Sequence, residues 1–231
     1  LGARVTIVEF LPQIAPTFDL EISTLMARLL KKQGMEINTD TRVTGCDHAG
    51  SDGSIIVQAE KKGMPKSFEA DRVLVSVGRI PFNEGLGLEA VGVRVDKRGV
   101  VETDSHFETS VSGIHAIGDT IYGSMLAHKA EEEGVAVAEI IAGGHGEVNY
   151  DVIPNVIYTD PEIAAVGLTE SEAKRRQIAV NTGKFPLAAN GRAIASDNSD
   201  GIVKIVADKA SDRILGVQIV SANASEMIAS A

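Results

Sequence analysis

Residues 4–9 are mostly apolar with little alternation, the pattern of a strand buried in a parallel sheet. From Asp19 the period changes: Ile22, Leu25, Met26, Leu29 and Leu30 fall on one helical face, Asp19 is placed to cap its start and Gly34 to end it. Residues 35–39 are extended again, so strand, helix and strand with short connections predict a right-handed βαβ crossover. Residues 42–47, 54–60 and 66–69 predict a meander, with turns at Gly50-Ser51-Asp52-Gly53 and Lys62-Gly63. The β-branched run 73–77, stopping at Gly78, predicts a central strand.

Between residues 79 and 99 the pattern loosens around Pro81, Gly85, Gly87, Gly92 and Gly99, as at a crossing between domains. Residues 113–119 predict a short strand ending in an acid, Asp119. A long helix then spans about 125–142, with Leu126, Ala130, Gly134, Val137, Ala138 and Ile141 as its buried face. After Tyr150 the pattern is α+β. Residues 155–158, 164–167 and 180–185 are extended, and 169–177 form a helix whose Thr169 and Glu172 match a capping box. Residues 201–207 and 214–220 alternate as antiparallel strands around a turn at Ala210-Ser211-Asp212. Their apolar residues exceed what helix 169–177 covers, which predicts a partner subunit.

Both ends read as cut. Gly2 fits the close of a helix preceding the chain, and the helical residues 224–231 stop without a cap. The expectation is a segment of a larger protein.

Composition narrows the function classes. The 231 residues carry 22 Lys and Arg against 32 Asp and Glu, a net charge of −10 with no basic cluster, which argues against nucleic acid. No apolar run approaches the roughly 18 residues of a membrane span. The single Cys46 forms neither an intramolecular disulfide nor a multi-thiolate metal site, and the five His show no metal-ligand spacing, so no metal is expected. A reducing compartment is the default.

Glu9 ends the first strand. In a dinucleotide-binding fold an acid at the end of the second strand accepts from the adenosine ribose, and a solvated carboxylate is the alternative. Under the first reading NAD is favoured over NADP, because Glu9 repels a 2′-phosphate and no Arg follows nearby in sequence. Gly78 reads as a turn glycine or as a close backbone approach to a ligand. Asp119 could accept from a polyol hydroxyl or close an Asx turn. The helix opening at Ser124, Met125, Leu126, Ala127 and His128 has its acids, Glu131, Glu132 and Glu133, one to two turns late. Its first amides suit an outside acceptor such as a flavin edge, with Ser124 as N-cap or water as the alternative. Lys129 with residues 131–133 reads as a solvated face.

Together these motifs resemble the pyridine-nucleotide disulfide oxidoreductases. The residues are 1–10 (LGARVTIVEF), Val77-Gly78-Arg79-Ile80-Pro81, Ala116-Ile117-Gly118-Asp119, 125–134 (MLAHKAEEEG), Tyr158-Thr159-Asp160-Pro161-Glu162 and 185–190 (FPLAAN). The stretch 185–192 is most similar to the branch that oxidises dihydrolipoamide. The resemblance implies an α/β fold: a Rossmann-like NAD-binding segment with its meander at 1–81, a returning FAD-contacting central segment at 82–149, and the start of an α+β interface domain at 150–231. It implies that Glu9 holds the NAD ribose and that Val43 and Gly78 line the NAD site. Asp119 would hold the FAD ribityl chain, with Met125, Leu126, Ala127 and His128 against the isoalloxazine. It implies FAD and NAD as cofactors, electrons passing from dihydrolipoamide through a disulfide and FAD to NAD, a homodimer through the last domain, and lipoyl domains of 2-oxo acid dehydrogenase or glycine cleavage complexes as partners. No residue of the chain is expected to be the thiol nucleophile or the catalytic base, so this stretch alone is expected to be inactive. The compartment is cytoplasm or mitochondrial matrix, with cytoplasm preferred. A related FAD/NAD(P) disulfide reductase, or a non-catalytic nucleotide-binding or assembly module, is the alternative.

Overall fold

The computed structural model describes residues 2–49 and 53–231. Two compact units emerge, one of residues 1–74 with 154–231, the other of 75–153.

In the first unit, β1 (Thr6–Val8) leads to α1 (Leu20–Lys32) and back to β2 (Glu36–Asn38), which pairs with β1 in parallel, Ile7 opposite Ile37. This is the expected crossover. The meander follows as β3 (Arg42–Ala49), β4 (Ser54–Lys61) and β5 (Met64–Ala70), in order and antiparallel. Lys62 and Gly63 turn between β4 and β5 with φ of 52° and 77°, the double positive φ that a tight hairpin requires. The expected turn at residues 50–52 lies outside the described residues.

In the second unit, α2 (Leu88–Val91) precedes a run of isolated bridges, Val95 to Val101, Thr103 to Thr109 and Glu108 to His115. A 3₁₀ turn at Gly118–Thr120 and α3 (Ala127–Ile141) complete it, with a second 3₁₀ turn at Tyr150–Val152. Val93, Val101, Phe107, Ile121 and Ala136 form its core.

Returning to the first unit, the chain forms β6 (Asn155–Ile157), β7 (Glu162–Gly167), α4 (Glu170–Arg175), β8 (Val180–Pro186), α5 (Gly191–Ala195), β9 (Ile202–Asp208), β10 (Ile214–Ser221) and α6 (Ala224–Met227). The strands make one antiparallel sheet in the order β6-β7-β10-β9-β8. Strand alternation sends neighbouring residues to opposite faces. Ile163 and Val220 pack with Phe18, Ile22, Met26, Leu29 and Leu30 on the α1 side, while Ala164, Val217 and Ile219 pack with Ala224 and Ile228 on the other.

A buried polar cluster ties α1 to this sheet. Asp19 stands at the N-cap of α1 without capping it. Its carboxylate instead accepts from the amides of Glu170 and Ser171 at 3.0 and 3.1 Å, the first turn of α4. It also accepts from the Gln218 amide and from Lys204, while the Asp19 N–H donates to Gln218 Oε1 at 2.9 Å. Gln218 and Lys204 are cross-strand partners on β10 and β9, so one sheet face delivers both to the same carboxylate.

Four expectations need correction. Residues 73–77 form no strand: nothing among the described residues hydrogen-bonds them as a ladder, and Leu74 and Val77 are 90% and 91% exposed. β-propensity without a neighbouring strand yields only an extended segment. Residues 113–119 form not a strand ending in Asp119 but a bridge at His115 followed by the 3₁₀ turn. In α3 the buried positions are Lys129, Glu133 and Ala136, while Ala138 and Ile141 are exposed. The supposedly solvated Lys129 and Glu133 are enclosed because they satisfy each other. Lastly, α1 covers one face of the antiparallel sheet, so the apolar excess counted against helix 169–177 alone is too large, and the partner subunit argued from it needs separate support.

Candidate functional site

Glu9 follows β1 directly, and its N–H continues the ladder by donating to Asn38 O at 2.9 Å. Its own carbonyl accepts from Thr41 N at 2.9 Å, which draws the start of β3 beside it. The half-buried side chain accepts from the Leu11 N–H through Oε1 at 2.8 Å. That bond aims the carboxylate at the end of the β1-β2 pair and leaves Oε2 for an outside donor. Val43 lies two residues beyond Thr41, 50% exposed, on β3 next to a register shift. The same entry of β3 brings the Arg42 guanidinium over the Phe10 ring, 6.0 Å from its centroid. Gly78 belongs to the other unit, in extended chain with φ of 113°, a conformation that disfavours a side chain.

Asp119 lies in the 3₁₀ turn Gly118–Thr120 with its side chain exposed, and no protein donor among the described residues reaches its carboxylate. Six residues on, Met125 and Leu126 are half-buried and α3 begins at Ala127. The N-cap is Leu126 rather than Ser124, in extended conformation, with neither a side-chain cap nor an acid in the first turn. A helix start of that kind presents the positive end of the helix dipole, suited to an electron-rich acceptor. His128 is half-buried in that turn.

Sequence reasoning missed the pair that joins these two features. Lys129 and Glu133 are 1% and 0% exposed, 2.9 Å apart. Glu133 Oε2 accepts from the Gly118 N–H at 2.7 Å, and Lys129 Nζ donates to the Gly118 carbonyl at 3.1 Å. Tyr150 donates its hydroxyl to Glu133 Oε1 at 2.8 Å. Partial burial, together with the Glu133 carboxylate, raises the Tyr150 phenol well above its usual range and keeps it a donor. A signal existed. Positions 129, 133, 136 and 140 share one helical stripe whose last two members are Ala136 and Ile140, so the first two had to be enclosed as well.

Cys46 is an exposed free thiol on β3. Among the described residues no group of three His, Cys, Asp or Glu stands where it could hold a metal ion, and no helix is long and apolar enough to cross a membrane.

Comparison with known proteins gives consistent results. Residues 1–134 match the family described as pyridine nucleotide-disulphide oxidoreductase, and residues 153–231 match the dimerisation domain of the same family. The chain is 51% identical over 228 residues to dihydrolipoyl dehydrogenase 2, mitochondrial, of Arabidopsis thaliana, covering 99% of the chain and 45% of that relative. It is 50% identical over 235 residues to dihydrolipoyl dehydrogenase of Trypanosoma brucei brucei, covering 100% and 49%. The chain thus spans about half the length of the curated relatives it matches. Among solved structures, a copper complex of an HOCl-induced flavoprotein disulfide reductase from Escherichia coli superposes with a TM-score of 0.89 at 26% identity, covering 99% of this chain and 51% of that one. LpdA from Mycobacterium tuberculosis superposes with a TM-score of 0.87 at 26% identity, covering 99% and 49%.

Proposed function

The chain belongs to the pyridine nucleotide-disulphide oxidoreductases, and on that premise we propose that it forms the nucleotide-binding and interface part of a dihydrolipoyl dehydrogenase. Such an enzyme oxidises dihydrolipoamide to lipoamide and reduces NAD to NADH. The observation that carries the reading is identity near 50% along the whole chain to dihydrolipoyl dehydrogenases of a plant and a trypanosome, against 26% to other flavoprotein disulfide reductases. The redox disulfide needs two thiols and the chain has one cysteine, so the thiol pair is supplied from outside these 231 residues.

The residues present fit both cofactors. Glu9, already oriented by Leu11 N–H, has an oxygen left to accept from the NAD ribose, with Val43 along the same site. Asp119, exposed and without a protein donor among the described residues, would accept from a ribityl hydroxyl of FAD. The uncapped start of α3, from Met125, Leu126, Ala127 and His128, would face the flavin edge that gains electron density on reduction. FAD supplies the two-electron relay between disulfide and nicotinamide. This chain's residues hold its polar atoms and the ribose in place.

The match to the dimerisation domain supports a homodimer. Lipoyl domains of 2-oxo acid dehydrogenase or glycine cleavage complexes are the proposed electron donors. The mitochondrial naming of the plant relative supports the matrix over the cytoplasm for the compartment. The experiment is NADH formation by the full-length protein with free dihydrolipoamide, beside glutathione disulfide and mercuric ion assayed in the reductive direction with NADH and NADPH. Turnover confined to the dihydrolipoamide and NAD couple is expected; reduction of either other substrate at a comparable rate would overturn the reading.

A further inference from the structure

The turn at Gly118–Thr120 carries an acid that no group among the described residues satisfies, and directly beneath it sits a charge pair whose polar atoms are paired. Glu133 takes the Gly118 N–H at 2.7 Å and Lys129 gives a hydrogen bond to the Gly118 carbonyl at 3.1 Å, so one ion pair grips both polar groups of the residue preceding Asp119. Gly118 itself is held at φ of 69°, and a Cβ there would stand 3.1 Å from the Ala130 methyl. The connection to α3 is built on the same lysine: a Cβ on Gly123 would come within 2.8 Å of Lys129 Cε. Tyr150 completes the Glu133 carboxylate from the other side at 2.8 Å.

Charges this deeply enclosed are a poor means of adding stability, because a well-packed apolar pair of similar volume does as well or better. What a charge pair does, and an apolar pair does not, is fix the direction of two backbone groups. We infer that Lys129 and Glu133 are positioning residues for the flavin site: they clamp Gly118 so that the neighbouring Asp119 carboxylate is held ready, at a fixed place relative to the start of α3, for a cofactor hydroxyl. This inference rests on the reading of Asp119 as a flavin ligand. Pre-ordering the turn removes the cost of arranging it on binding, so the clamp acts on affinity through Asp119 and not by touching the cofactor.

The test uses the full-length protein, stripped of flavin and titrated with FAD by quenching of flavin fluorescence, with the visible circular dichroism of the bound flavin as a second readout. Glu133→Gln should weaken FAD about tenfold and alter the dichroism, since a neutral amide no longer holds the lysine and orients poorly toward the Gly118 N–H. In an Asp119→Asn background the same change should add less than about twofold, because residues acting through one another are not additive. Tyr150→Phe keeps the ion pair and removes one hydrogen bond. It should give about a twofold to fivefold loss that likewise vanishes in Asp119→Asn, and it serves if Glu133→Gln does not fold. Full additivity, or unchanged affinity in both Glu133→Gln and Tyr150→Phe, would overturn the clamp. Unchanged affinity in Asp119→Asn alone would instead refute the assignment of Asp119 to the flavin, and the clamp would fall with it.

Discussion

Asp19 Oδ2 lies 2.9 Å from Lys204 Nζ, both side chains almost wholly enclosed, although 185 residues separate them. The contact joins the helix that follows β1 to the sheet matched by the dimerisation family. Glu170 Oε2 stands 2.7 Å from the same ammonium, and Glu21 reaches it as well. Removing Asp19 takes one of its carboxylate partners from the enclosed Lys204 and strands the Gln218 amide and the two first-turn amides of α4 at once. Asp19→Ala should therefore destabilise by about 3–5 kcal/mol, the range for breaking a buried ion pair by deleting one member. Urea unfolding followed by far-ultraviolet circular dichroism measures it, as the chain has no Trp to report. A loss below 1 kcal/mol would show that water replaces the carboxylate at no cost.

The same cluster predicts an acid transition. Burial alone would raise the Asp19 pKa, but the Lys204 ammonium, the Glu170 and Ser171 amides and Gln218 outweigh it and lower the value from 3.8 to about 2. A carboxylate depressed in the folded state contributes stability that is full above the unfolded value and disappears as pH falls through the folded one. About 2 kcal/mol should thus be lost between pH 4 and pH 2. Lys204, whose burial is outweighed by Glu170, Glu21 and Asp19, is raised and stays charged throughout. Asp19→Asn should flatten that part of the stability profile, and an unchanged slope would assign the transition to other acids.

What was legible in the sequence was what depends on neighbours in sequence. The α1 stripe, the parallel return at Ile37 and the Lys62-Gly63 hairpin follow from local period and turn chemistry. Asp19 was recognisable as a cap, but the helix whose amides it satisfies is α4, 151 residues away, which no local rule identifies. Residues 73–77 have the composition of a strand, and strand formation depends on a partner that composition does not contain. Lys129 and Glu133 resemble an ordinary solvated i, i+4 pair; the stripe they share with Ala136 and Ile140 hints at enclosure, but what they grip, Gly118, follows from no local pattern. Of the candidate site, the support beneath Asp119 was not readable, because it depends on where the fold brings Gly118.

A third prediction concerns the interface sheet. Gly216 on β10 pairs directly with Gly167 on β7 beside the irregularity at Leu215, where Leu168 N donates to Leu215 O at 2.8 Å. A Cβ on Gly216 would lie 2.0 Å from the Leu168 carbonyl oxygen, a backbone atom with nowhere to go. Gly216→Ala should cost about 1–3 kcal/mol or more, as overpacking against fixed structure does. Gly183→Ala on β8, where nothing lies within 4 Å, should stay within about 0.5 kcal/mol. Equal effects would mean that the β7-β10 edge adjusts freely.

The last prediction tests Glu9 in the full-length protein. A charge-assisted hydrogen bond to a ribose hydroxyl is worth about 1.5–3 kcal/mol, so Glu9→Arg should raise the KM for NAD by about tenfold or more while improving NADP. The Arg42 guanidinium already lies over the ring of the adjoining Phe10, and a second cation beside it would favour a 2′-phosphate. Because the substitution also removes the acceptor for Leu11 N–H, Glu9→Gln is the necessary companion: its amide oxygen can still receive that bond while the charge is gone. If the ribose reading holds, Glu9→Gln weakens NAD without gaining NADP, and Glu9→Arg does both. Unchanged kcat/KM for NAD in the two variants would show that Glu9 only turns the chain at Leu11.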